Sequence, residues 1–220
     1  MELIEGLETR RSVRGFKSTP VSPELIKKML HAANRSPSYT NSQPWEVAVI
    51  TGQKRDLLSK TLYDLAAANT PATPDEPSPK GWPEAIAQRT KTHGANRFAA
   101  LGVGRDDTAK REELRLINFK FFNAPVAMLI FMDASLGPWS TLDMGIFIQS
   151  LTLAAHGLGL GACLQASLSY YPDAARELLE IPNTKKLICG VSIGYPDMDA
   201  PLNIYRSARK EVDDFTLWYD

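Results

Sequence analysis

An α+β domain is the fold the sequence predicts, on three observations. Segments with a helical apolar period mix with short β-rich runs, and no regular strand–helix–strand rhythm supports a doubly wound sheet. One run, APVAMLIFMD (124–133), is apolar throughout, as expected of a strand buried on both faces. Within the 220 residues there is neither an internal repeat nor a long linker, so the chain reads as a single domain over 1–220 with a variable excursion at about 70–115.

The elements follow in order. Leu3, Ile4 and Leu7 stand at helical spacing, which predicts a short amphipathic helix within 1–11. Ser22 is placed to cap a second helix, with Pro23 in its first turn, Leu25, Ile26, Met29 and Leu30 on one face, and Pro37 beyond its end. WEVAVIT (45–51) alternates as a strand, and KRDLLSKTLYDLAAAN (54–69) returns to helix. Residues 69–83 hold prolines at 71, 74, 77, 79 and 83, which forbids regular structure and predicts a surface excursion open to mobility. Residues 84–122 read as mostly helical and polar. LDMGIFIQSLTLAAHGLGLGACL (142–164) is apolar nearly all round, so the expectation is one helix buried on every side and shared with a second subunit. A short helix at 171–182 and a strand at 186–196 precede a tail that carries Arg206, Arg209 and Lys210.

Composition excludes several classes. Lys+Arg and Asp+Glu both number 25, so there is no basic field for nucleic acid or anionic lipid. No apolar run approaches the roughly 20 residues of a membrane span, and the opening MELIEGLETRR lacks the layout of a signal peptide. Cys163, Cys189, His31, His93 and His156 are scattered without metal-ligand spacing, which predicts no metal and fits a reducing, cytoplasmic setting.

Ser36, Ser38 and Ser42 lack a nucleophile elbow. The acidic pairs Asp106-Asp107, Glu112-Glu113 and Asp213-Asp214 lie in charged, solvated stretches. GLGLGA (157–162) misses the dinucleotide spacing and follows a helix, so it reads as a helix end and turn. Two stretches carry more. RRSVRGF (10–16) supplies guanidinium forks and a hydroxyl, the donor set suited to a phosphate dianion; its plainer role would be to complement a helix C-terminus. SPSYTNSQPW (36–45) is a turn by composition, and equally an array of donors and acceptors for a flat heteroaromatic ring.

Together RRSVRGF and SPSYTNSQPW resemble the flavin-dependent nitroreductase family. NFKFFNAPVAMLIFMD, LDMGIFIQSLTLAAHGLGLGACLQAS and ICGVSIGYPDMDAPLN, with the arginines after it, are similar to that family's central strand, dimer-core helix and C-terminal segment. The resemblance implies a mostly antiparallel sheet flanked by helices, an intertwined homodimer, and FMN at the subunit interface. Arg10, Arg11, Ser12, Arg14 and Arg209 would hold the FMN phosphate and ribityl chain. Pro37, Ser38, Tyr39, Asn41 and Gln43 would come from the other subunit, and Gln165 and Ala166 would lie near flavin N5 with their backbone amides. Tyr39 stands where the family often has Ser, and Gln165 where many members have an acid. The resemblance further implies NADH or NADPH as hydride donor, a ping-pong cycle through flavin N5, and nitroaromatics or similar flat electrophiles such as quinones as acceptors. No side chain is assigned as catalytic. Trp82, Arg97 and Phe98, with Tyr39, are the expected substrate-pocket residues. Enone reduction, reductive dehalogenation, heterocycle oxidation and a non-catalytic flavin-binding role are the alternatives on the same fold.

Overall fold

The computed structural model describes residues 2–220; of the helix expected within 1–11, residue 1 lies outside the described residues. In chain order the elements are α1 (Leu3–Thr9), α2 (Pro23–Ala33), β1 (Glu46–Thr51), α3 (Gly52–Ala67), α4 (Glu84–Ala100), α5 (Thr108–Leu116), β2 (Val126–Asp133), α6 (Pro138–Gly157), β3 (Gly161–Gln165), α7 (Pro172–Leu179) and β4 (Lys185–Gly194). The four strands form one antiparallel sheet in the order β1-β2-β4-β3.

Burial of β2 on both faces explains its unbroken apolar run. Val126, Met128, Ile130 and Met132 join a core with α2 and α6, whereas Ala127, Leu129 and Phe131 join a second core with α3 and α7. β4 changes faces through a bulge. Ile130 pairs with Cys189 and Phe131 with Leu187, so the extra residue turns Leu187 into the second core while Cys189 stays in the first. Burial pushes the Cys189 thiol up to about 12 and the Cys163 thiol upward as well, which keeps both unreactive.

Helix α2 begins as expected: the Ser22 hydroxyl accepts from the Leu25 amide at 3.2 Å, and Pro23 fills the first position. One expectation is corrected. The 142–164 segment is not one helix; α6 spans 138–157 and then stops. Gly159 takes φ +76°, the Leu160 amide reaches the Ala155 carbonyl at 2.9 Å, and residues 161–165 are the strand β3. A five-residue apolar strand has no periodicity to separate it from helix, and pairing with β4 decides its conformation. Within the protomer, Trp139, Leu142, Gly145 and Gln149 form an exposed stripe along one face of α6.

The proline excursion lacks regular structure, yet its first half is fixed to the frame. Asp75 receives the guanidinium of buried Arg176 through both carboxylate oxygens, the closer at 2.6 Å, and accepts the Leu187 amide at 2.7 Å. Thr73 N–H reaches the Tyr170 carbonyl, the Tyr171 hydroxyl donates to the Thr70 carbonyl, and Lys186 pairs with Glu76. Beyond it, α4 buries none of its residues.

Candidate functional site

The segment 10–16 is extended and held on two sides. Its Val13 amide donates to the Ala162 carbonyl at 2.9 Å, and Ser12 bridges Ala162 of β3 in parallel. Only glycine permits this approach at 161, where a Cβ would stand 2.8 Å from the Val13 side chain. On the other side, buried Asn203 accepts the Arg14 amide at 2.6 Å and donates to the Gly15 and Asp197 carbonyls at 2.9 and 2.7 Å. The C-terminal segment is thus clipped to the arginines, and Arg206 adds a bond to the Thr9 carbonyl at 3.0 Å.

Between these segments lies a cavity of about 440 Å³ lined by Arg10, Arg11, Ser12, Arg14, Arg206 and Arg209, with His93, Gln149, Tyr205, Ser207, Leu7 and Glu8. Glu8 is the one acid in its lining, and among the described residues none of these arginines forms an ion pair. Burial, and then Arg209, holds the Arg10 guanidinium below its ordinary value, and Arg10 Nε is buried without a partner. Arg97 from α4 behaves alike: burial and then Arg14 lower its value, and one of its terminal nitrogens is buried and unpartnered. Arg10 and Arg97, each with a buried nitrogen that lacks an acceptor, suit an anionic ligand. A phosphate monoester fits this donor set, and so does the phosphate of FMN. A larger apolar cavity, about 820 Å³ beside α2 and β1, offers no such set; its Arg55 and Asp56 already bind each other.

The expected residues fall into three groups. Arg10, Arg11, Ser12, Arg14 and Arg209 come together in the cavity. Pro37, Ser38, Tyr39, Asn41 and Gln43 do not line it within the protomer. Their loop is fixed elsewhere on α6, where Asp143 accepts the Tyr39 amide at 3.1 Å and Tyr39 stacks on Trp139 with ring centres 5.8 Å apart. Gln43 N–H donates to the Ser38 hydroxyl at 3.0 Å, and Thr40, Asn41 and Gln43 all take positive φ. Gln165 turns its carboxamide inward, donating to the Asn118 carbonyl at 2.9 Å and accepting from the Ser192 hydroxyl, so only its backbone is left for a ligand. Ala166 is exposed beside it.

Of the expected pocket residues, Arg97 lies near Arg14. Phe98 lies under the Arg111 guanidinium at 4.0 Å, and Trp82 is exposed at the foot of α4. Sequence reasoning missed His93, Gln149, Tyr205 and Ser207 as cavity residues. The basic tail at 206–210 was the one available signal; nothing local to His93 pointed to the cavity.

The fold is thus a sheet between two helical layers, with a cationic cavity beside its edge strand β3. The family model described as Nitroreductase family matches residues 7–195, and the chain belongs to that family. It is 33% identical to the 4-nitrobenzoate reductase of Pseudomonas putida, over 94% of this chain and 91% of that protein. It is 34% identical to the nitrobenzene nitroreductase of Ectopseudomonas oleovorans, over 96% of this chain and 94% of that one. The crystal structure of the FMN-dependent nitroreductase NfnB from Mycobacterium smegmatis in complex with NADPH superposes with a TM-score of 0.94 at 32% identity, covering 99% of this chain and 97% of that one. No helix among the described residues is long and apolar enough to cross a membrane.

Proposed function

We propose that this protein is an FMN-dependent NAD(P)H oxidoreductase that reduces nitroaromatic compounds. The observation that carries it is the set of unpaired arginines around one cavity, in a chain whose relatives are named nitrobenzoate and nitrobenzene reductases. When bound, FMN would supply the two-electron chemistry between nicotinamide and nitro group.

The chain's own residues would bind, orient and polarise. Arg10, Arg11 and Arg209 would grip the phosphate, with Ser12 and Arg14 beside the ribityl chain. The positive field of Arg14 and Arg97 stabilises negative charge placed between them. At the end of β3, the inward-turned Gln165 leaves the backbone of 165–166 to meet the ring edge. No acid–base pair is required of the side chains.

A homodimer would complete the site, with Pro37, Ser38, Tyr39, Asn41 and Gln43 contributed by a second copy. The exposed stripe of Trp139 and Leu142, and a tail in which Phe215, Leu217, Trp218 and Tyr219 are all exposed, support such an association. The test is a steady-state screen of FMN-loaded protein with NADH and NADPH against nitrobenzoate, nitrobenzene and quinones. Acceptor-dependent oxidation of the nicotinamide is expected. FMN-loaded protein that oxidises neither nicotinamide with any acceptor would reject the assignment.

A further inference from the structure

His93 is the one cavity residue that belongs to α4, the helix that buries nothing. It meets the C-terminal segment directly: its Nδ1 lies 3.3 Å from the Tyr205 hydroxyl, and the two rings stand 5.5 Å apart. Tyr205 engages Nδ1, and Nε2 has no hydrogen-bond partner among the described residues. Arg97 follows one turn later on the same helical face.

We propose that His93, as an imidazolium, is a ligand of the cofactor phosphate and that through it the bound cofactor holds α4 over the cavity. The proposal rests on the FMN assignment above. The groups that face His93 are Arg14 from the N-terminal segment, Arg209 and Tyr205 from the C-terminal segment, and Arg97 on its own helix. Arg10, Arg11, Arg206 and Glu8 share the cavity. Without an anion, burial and then the arginines hold His93 below its ordinary value, so it is neutral near pH 7. A phosphate reverses the balance, because an adjacent dianion favours the protonated ring. Binding therefore takes up a proton. The contribution is present at low pH and is lost as pH rises through the value His93 has in the complex.

The test is FMN affinity of flavin-free protein, measured by fluorescence quenching, for wild type, H93Q and H93K. A charge-assisted bond of this kind predicts that H93Q binds FMN about ten-fold more weakly than wild type at about pH 5.5 and equally by about pH 8.5. The ratio cancels the titration of the phosphate itself, which is common to both proteins. H93K, a permanent cation, should bind more tightly than H93Q by the same factor across that range. Riboflavin, which lacks the phosphate, should bind wild type and H93Q alike. An H93Q/wild-type ratio that is one throughout, or that stays constant with pH, overturns the His93 role and leaves the FMN assignment standing. A wild type that binds no FMN at any pH overturns both.

Discussion

Two walls of the same cavity are built in opposite ways. The segment 10–16 is fixed by β3 on one side and Asn203 on the other, so its arginines are held together whatever their mutual repulsion. Helix α4 brings His93 and the cation Arg97, yet has no fully buried residue and meets the C-terminal segment through Tyr205. The first wall spends folding stability to concentrate charge, a preorganisation suited to one invariant ligand. The second has little stability to lose and can follow the ligand.

The largest break in this contrast comes at the root of the proline excursion. Asp75→Ala removes two charge-assisted bonds from buried Arg176, leaving Asp173 as its one carboxylate, and removes the acceptor of the Leu187 amide. A loss of about 3–5 kcal/mol is expected in chemical denaturation. The FMN affinity of protein that remains folded should be nearly unchanged, since Asp75 is remote from the cavity. Asn203→Ala breaks the clip on the first wall. Three hydrogen bonds to buried backbone are lost at once, with an expected cost of about 2–4 kcal/mol in stability and a weakened FMN complex.

Arg10→Gln sharpens the contrast because its two effects have opposite signs. Loss of a charged phosphate donor should weaken FMN about 10- to 100-fold. The flavin-free protein should be no less stable, and more stable by about 0.5 kcal/mol or less. The charged form of Arg10 is disfavoured in the fold by burial and Arg209, and solvent screens much of that at a half-exposed site. Smallest are Trp82→Ala and Phe98→Ala in the second wall. Thermal stability should hold within about 0.5 kcal/mol, while kcat/KM ratios among nitroarenes of different size shift several-fold.

The first wall was legible in the sequence because its donors are consecutive, and α2 because Ser22 and Pro23 announce it locally. What holds the wall was not. Asn203 acts on Arg14 from 189 residues away and Asp75 meets Arg176 across 101, and no local pattern encodes either contact. β3 was not recognised as a strand because residues 161–164 continue the apolar run of α6, and only pairing with β4 distinguishes them. His93 sits in a polar helix with nothing nearby to mark it; folding alone brings it to Arg14, Arg209 and Tyr205.

The central claim is most directly tested by an anaerobic titration followed at the flavin absorbance. Protein loaded with FMN should bleach on addition of NADPH or NADH and recover its colour when 4-nitrobenzoate or nitrobenzene is added. Protein that stays colourless after incubation with FMN, or flavin that neither nicotinamide reduces, would contradict the account.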